Sequence, residues 1–274
     1  MTRPGSSVHI PGMTTTLFDS VPLKDMDPSA LTMAIFADIR NIPSFDGVKV
    51  STAISAASYF HLNQTRANRK GFPRTSYIEH PLRNALRVLR WGVTSEAILI
   101  SVILHDTVED CLDRILSSFV TGCHVGIGEA AQRELAYQWI ASEFGQEASN
   151  LVRSLTNPVA SGEQLTKVRK REKYAADVAD KIRGNAGAFI GKLADFMDNA
   201  GGLHHNAVDG NEKMIAHLTA KYYPVVAIFQ AELAANGDAI RALVSDEGYA
   251  DIELKLSLLA RRLGALAGLY GAKA

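Results

Sequence analysis

The chain has 274 residues, 29 Lys and Arg balanced by 29 Asp and Glu, and 47% hydrophobic residues. That is enough apolar material for one large core or two small ones, and the neutral balance argues against a global electrostatic grip on nucleic acid. No run of 18 apolar residues is present, Met1 to Leu23 lack the apolar stretch of a secretory signal, and Cys111 and Cys123 read as free thiols. The expectation is a cytoplasmic protein that meets neither membrane nor nucleic acid.

Residues 1–26 are rich in Thr, Ser, Pro and Gly and read as a flexible arm. Asp27-Pro28 then supplies an N-cap followed by Pro in the first helical turn. From there the apolar spacing predicts helices near 28–39, 48–67, 81–91, 95–106, 111–120, 128–143, 145–155, 163–183, 186–199, 209–234 and 248–270. Gly92 after Arg90-Trp91, Thr94-Ser95, and Gly184 after Arg183 mark ends and starts. Alternating β patterns are scarce, and no repeat of 20–50 residues is present. The expected fold is all-α: an orthogonal multi-helix bundle over 27–235, with 236–274 as a helical extension packed on it. The apolar Leu254 to Leu259 stretch of that extension either covers the core or meets a second copy of the chain.

The most informative stretch is Leu104-His105-Asp106-Thr107-Val108-Glu109-Asp110. It ends the apolar run Ala97 to Leu104, which reads as a buried helix. Burying unpaired acids and an imidazole costs several kcal/mol, about 3–5 for a broken buried pair. A divalent metal resolves that conflict. Two further segments offer ligands: Tyr77-Ile78-Glu79-His80-Pro81, with His80 at a helix start, and Lys192-Leu193-Ala194-Asp195, ending a second apolar run. His80, His105, Asp106 and Asp195 together make a mixed imidazole and carboxylate set, suited to a six-coordinate divalent ion with room for water. Glu109 and Asp110, at i+4 from His105 and Asp106, are placed to orient a metal-bound water. His204-His205 falls in a Gly-rich turn and reads as surface. Arg66, Arg69, Lys70 and Arg74 form a basic cluster ahead of His80, which points to an anionic, phosphorylated substrate. The basic run Lys167 to Lys173 reads as a solvated helix face.

These segments, in this order, resemble the HD metal-dependent phosphohydrolases. The resemblance is closer to the hydrolase domain of RelA/SpoT-type alarmone enzymes and to the single-domain small alarmone hydrolases. It covers roughly residues 50–205 and is carried by Arg69-Lys70, Tyr77 to Leu82, Leu104 to Asp110, and Lys192 to Asp195 with Asn199. Glu143-Phe144-Gly145 and Leu151 to Thr156 look like the family's connecting segment. The resemblance implies hydrolysis of the 3′-pyrophosphate of (p)ppGpp with manganese as the expected ion. By position, His80, His105, Asp106 and Asp195 would hold the metal, and Glu109 and Asp110 would steer water. Arg69 and Lys70 would contact phosphate or base, and Asn199 would face the sugar.

The chain departs from the family pattern in places. The usual Gly-x-Pro-Tyr-Ile-x-His-Pro becomes Arg74-Thr75-Ser76-Tyr77 in front, with Gly71-Phe72-Pro73 displaced upstream. After Asp195 the chain reads Phe196-Met197-Asp198-Asn199, Gly202 stands where Thr is usual, and 111–143 is longer. The departures fall on nucleotide recognition rather than on the metal. Two alternatives stay open: the same chemistry on another nucleotide, such as a modified adenosine or NADPH, or a non-catalytic nucleotide-binding regulator.

Overall fold

A computed structural model describes residues 21–67, 71–122, 126–159, 164–208 and 210–271. The chain folds as an all-α bundle. Its helices are α1 (Pro28–Ile39), α2 (Gly47–Phe60), α3 (Glu79–Arg90), α4 (Glu96–Leu104), α5 (Thr107–Asp110), α6 (Leu112–Phe119), α7 (Glu129–Phe144), α8 (Gln146–Leu155), α9 (Lys167–Ile182), α10 (Ala186–Ala200), α11 (Glu212–Arg241) and α12 (Asp246–Tyr270). Short 3-10 turns occupy Leu23–Asp25 and Leu203–Asn206. A small antiparallel pair, β1 (Thr65–Arg66) with β2 (Thr75–Ser76), joins α2 to α3.

The caps follow the sequence signals. The Asp27 carboxylate accepts from the Ala30 amide at 2.8 Å with Pro28 in the first turn, and Ser95 accepts from the Ile98 amide at the start of α4. Residues Ile98 to Leu104 of α4 are buried without interruption, as expected of a helix that is apolar all round. α4 packs between α2, α3, α8 and α10, and α3 lies against α1, α4 and α10. The three central helices α3, α4 and α10 therefore bring one end each to a common point.

Three expected boundaries move. α2 stops at Phe60 rather than continuing to 67, because Asn63 takes a left-handed φ of 70° and the chain turns into β1. The helix read over 95–106 ends at Leu104, and a new short helix, α5, starts after the turn His105-Asp106. The helix read over 209–234 runs on to Arg241, kinked at Asn236 (φ −126°), whose side-chain amide donates to Glu232 at 2.7 Å. Gly237 permits this continuation, since a Cβ there would stand 2.7 Å from the Tyr249 hydroxyl of α12. The last residues of the expected arm are packed: Met26 is buried and Lys24 donates to the Asp198 carbonyl at 3.0 Å.

α12 is fastened to the far end of α3. The Ser245 amide donates to the Trp91 carbonyl at 2.9 Å, and the Trp91 indole donates to Asp251 at 2.9 Å. Gly248 lies directly on the Trp91 backbone, and a Cβ there would overlap the Trp91 carbonyl. Among the described residues no helix is long and apolar enough to cross a membrane.

Candidate metal centre

The first turn of α3, the α4–α5 turn and the last turns of α10 meet at one cluster. His80 and His105 are buried at 1% and 3% exposure, and Asp195 is mostly buried beside them. The His80 Nε2 atom lies 3.1 Å from Asp195 Oδ1 and 3.6 Å from Asp106 Oδ2. The His105 Nε2 atom lies 3.0 Å from Asp106 Oδ2 and 3.8 Å from Asp195 Oδ1. Ligand atoms of His80, His105 and Asp195 all fall within 4.8 Å of one another. Three separate segments of sequence thus converge, with Asp106 on the open side.

Both imidazoles have their Nδ1 engaged. His80 Nδ1 is 2.8 Å from the Asp198 carboxylate, and His105 Nδ1 is 2.8 Å from the Val102 carbonyl. Each acceptor fixes the proton on Nδ1 and turns the Nε2 lone pair inward, the arrangement that metal-ligating histidines use. His105 Nε2 is buried with no hydrogen bond, although Asp106 is only 3.0 Å away. An orphaned buried nitrogen facing two carboxylates fits a divalent cation.

The electrostatics of the bare cluster agree. Burial alone would lower the His105 pKa, but Asp106 and Asp195 outweigh it and push the imidazole up to about 10. Burial would likewise raise Asp106 and Asp195, yet His105 and His80 hold both carboxyls below the usual range. A positive charge is wanted where the Nε2 atoms meet.

Asp198, given no role in the sequence reading, is the hub behind His80. It is fully buried and receives Arg83 Nε at 2.9 Å on one oxygen and Arg83 NH2 at 3.1 Å on the other. Arg87 adds a contact at 3.5 Å, and Arg83 also donates to Glu79 at 3.0 Å. The His80 hydrogen bond and these guanidinium groups overcome burial and keep the Asp198 carboxyl well below its ordinary value. Three positions separate Asp195 from Asp198, so both project from the same side of α10. That spacing was the available signal, together with the buried Arg83, one turn after His80.

The remaining expected residues divide. Asp110 stands at the cluster's mouth, where the Tyr77 hydroxyl donates to Asp106 at 2.7 Å and to Asp110 at 3.3 Å. Burial, then Asp106 and Glu109, raises the Asp110 carboxyl to about 6. Glu109 instead faces α8's end and accepts from the Asn157 backbone amide and side chain, both at 3.1 Å. Asn199 is tied down: it donates to Asp195 at 2.6 Å and accepts from Arg66. The expected sugar-facing Asn is therefore engaged with a cluster carboxylate in this conformation. Arg69 and Lys70 lie outside the described residues, as does Cys123. Cys111 is a buried free thiol, 3.4 Å from His61, whose ring stacks on Tyr77 at 4.5 Å.

Other groups the sequence reading passed over lie near the cluster. Lys221 of α11 sits over the Tyr174 and Tyr222 rings at 4.3 and 5.1 Å, and its charge is felt by Asp195. Lys181 donates to Asn157 at 2.8 Å; burial and then Lys192 press its pKa down to about 8. Widely spaced along α9 and α11, these residues form no local motif. Lys167 to Lys170 are exposed, in line with a solvated face.

No protein-family model matches the chain. A probable guanosine-3′,5′-bis(diphosphate) 3′-pyrophosphohydrolase of Mycoplasma pneumoniae is 25% identical over 183 residues, covering 65% of this chain and 21% of that protein. The guanosine-3′,5′-bis(diphosphate) 3′-pyrophosphohydrolase MESH1 of Xenopus tropicalis is 26% identical over 159 residues, 57% of this chain and 72% of its own length. The chain thus spans about a fifth of the Mycoplasma relative and close to three quarters of the Xenopus one. Among solved structures, one described as a metazoan ortholog of SpoT that hydrolyzes ppGpp superposes with a TM-score of 0.50, at 20% identity, over 80% of this chain and 98% of that one. In sequence the chain is thus similar to proteins named as guanosine-3′,5′-bis(diphosphate) 3′-pyrophosphohydrolases, and its fold is similar to that of the metazoan ortholog of SpoT.

Proposed function

We propose that the chain is a metal-dependent phosphohydrolase of the cytoplasm that removes the 3′-pyrophosphate of guanosine alarmones, releasing GDP or GTP and pyrophosphate, with manganese as its ion. The observation that carries this reading is the convergence of two inward-facing Nε2 lone pairs on the Asp106 and Asp195 carboxylates. The activity for which the relatives are named supports the substrate. Residues 27–235 are taken as the catalytic domain, with the C-terminal helices as an extension of it.

His80, His105, Asp106 and Asp195 would hold the ion, which when bound would polarise a phosphoryl oxygen and lower the pKa of a coordinated water. Asp110 and the Tyr77 hydroxyl flank Asp106 at the mouth, where Asp110 orients the attacking water and takes its proton. Glu109, fixed by Asn157, sets the outer edge of that position. Arg66, beside Asn199 and over the Tyr77 ring at 5.9 Å, presents positive charge to the pyrophosphoryl group that water attacks, aided by Arg69 and Lys70; the bond broken is that to the ribose 3′ oxygen, which leaves with GDP and takes a proton from solvent. Asp198 and Arg83 act through His80 and position it.

The test is release of pyrophosphate and GDP from ppGpp by the manganese-loaded protein, lost in Asp106→Ala. Metal-loaded protein that leaves ppGpp intact would overturn the substrate. A second reading keeps the chemistry and changes the nucleotide. It is favoured by Asn199, whose amide is committed to Asp195 and Arg66 rather than offered to a sugar. A nucleotide panel including NADPH and phosphorylated adenosines separates the two.

A further inference from the structure

Beside the metal cluster, α9 packs against α11, and both pack against α10. The side chains between them form a row that starts at the cluster. Phe196 follows Asp195 in sequence, and its ring meets Tyr222 at 5.8 Å; Tyr222 meets Tyr174 at 6.3 Å. The Lys221 ammonium lies over both tyrosine rings, 4.3 Å from the centre of Tyr174 and 5.1 Å from that of Tyr222. One helical turn before Lys221, the His217 Nδ1 atom is 3.1 Å from an Arg171 Nη2. The charge of Asp195 reaches Tyr174, Tyr222 and Lys221 alike, and that of Glu109 reaches Lys221. Arg66 acts on the same Tyr222. Two cationic arms therefore flank the ligands, Arg66 on one side and Lys221 with Arg171 on the other.

The second arm has no carboxylate of its own. Asp195 lies close to the charges of Lys181, Lys192 and Lys221. Lys192 donates to the Leu155 carbonyl at 2.9 Å, and Lys181 to Asn157 at 2.8 Å. Lys221 has no such acceptor: among the described residues its ammonium makes no hydrogen bond and no ion pair, and rests on two aromatic faces. Arg171 meets the His217 ring alone, and its Nε is buried without a hydrogen bond. The nearby acids of the two helices are directed elsewhere. Glu172 pairs with Arg169, Asp180 with Arg183, and Glu212 accepts from the Gly210 amide. Burial lowers the Lys221 ammonium despite Asp195. A cation–π contact offsets only part of what a half-buried ammonium loses in giving up water, and an anion brought by a ligand would supply the missing acceptors.

We propose that Lys221 and Arg171 form the subsite for a second phosphate group, the one that the reaction leaves in place, so that the preferred substrate is a nucleotide phosphorylated at two separate positions. This rests on the phosphohydrolase reading above and adds the residues that select the substrate. The group to be cleaved lies at the ligands with Arg66. The retained group lies between α9 and α11, where its oxygens take the N–H donors of Lys221 and Arg171. Tyr174 and Tyr222 form the wall between the two. A nucleotide phosphorylated at one position fills one arm and leaves the other unanswered. In ppGpp the retained group is the 5′-diphosphate.

The test compares steady-state hydrolysis of ppGpp with that of guanosine 3′-diphosphate, which has no 5′-phosphate, by the manganese-loaded full chain. Lys221→Met keeps the stem over the tyrosine rings and removes the charge. It is expected to raise KM for ppGpp about tenfold, with kcat little changed and with guanosine 3′-diphosphate hydrolysed as by the wild type. Arg169→Ala, at an exposed position of α9, is expected to leave KM unchanged for both. An unchanged KM for ppGpp in folded Lys221→Met overturns the subsite, and so does an equal loss on both substrates, which a structural or metal effect would give. Thermal melting checks the fold; where Lys221→Met does not fold, Arg171→Gln takes its place with the same two outcomes. Wild-type protein that leaves both substrates intact sinks the proposed activity on its own. The subsite is then read by equilibrium binding of ppGpp to the same metal-loaded proteins: a loss of about tenfold in Lys221→Met supports it, and equal affinity or no binding overturns it.

Discussion

The two imidazoles of the cluster reach the same geometry by different means. His105 is oriented by a main-chain carbonyl, that of Val102 in the last turn of the helix just before it. His80 is oriented by a carboxylate from another helix, Asp198, which in turn depends on Arg83, Arg87 and the hydrogen bond from Lys24 to its carbonyl. One support is local and independent of side-chain identity. The other is an assembly of buried charges that brings α3, α10 and the N-terminal turn together. The lesson is that two equivalent imidazoles carry unequal mutational risk.

The strongest break of that comparison is at the ligands themselves. His105→Ala or Asp106→Ala should reduce turnover and metal uptake to background, read by hydrolysis and by metal analysis of the purified protein. Next comes the charged support. Asp198→Ala removes the carboxylate that accepts two hydrogen bonds from the buried Arg83 and the one from His80, and should cost about 3–5 kcal/mol in denaturant unfolding. The gentler Asp198→Asn should keep the fold and weaken metal binding about 10–100-fold, as other outer-shell substitutions do.

The comparison sharpens on the His105 side. Val102→Ala removes two buried methyl groups but keeps the carbonyl, so it should lower stability by about 2 kcal/mol and leave metal affinity unchanged. Metal affinity falling with Val102→Ala as far as with Asp198→Asn would erase the distinction. Smaller still, Asn157→Ala removes one of two donors to Glu109 and should lower kcat a few-fold with little change in melting temperature. At the bottom of the scale, Arg169→Ala breaks an exposed pair with Glu172 and should stay within about 0.5 kcal/mol.

The helices and the convergence of His80, His105, Asp106 and Asp195 were legible because both leave local marks. An apolar run that ends in His-Asp, or in Asp alone, conflicts with burial, and the conflict is visible in a few consecutive residues. The supports were less visible. Asp198 and Arg83 satisfy each other across 115 positions, so neither looks anomalous where it stands in the sequence. α2 was read too long because Tyr59 and Phe60 continue the apolar spacing, and only the left-handed Asn63 ends it. The helix read over 209–234 runs on through Asn236-Gly237 because the Asn236 amide donates to Glu232 and Gly237 leaves room for the Tyr249 hydroxyl. Asn199 was placed near the reacting centre, but its partners, Asp195 and Arg66, depend on a hairpin too short to show a pattern.

The fastening of α12 to the end of α3 has a consequence for how this sequence can vary. α3 carries His80 at one end and Trp91 at the other, so the helix that presents a ligand is anchored far from the chemistry by a contact that leaves no room for a side chain at Gly248. In a library of all single substitutions selected for activity, position 248 should be the least tolerant column of the C-terminal helix, admitting glycine alone where buried positions such as Ile252 and Leu256 admit other apolar residues. Descendants of this chain can exchange the solvent face of α12 freely, while that one site accepts a single amino acid.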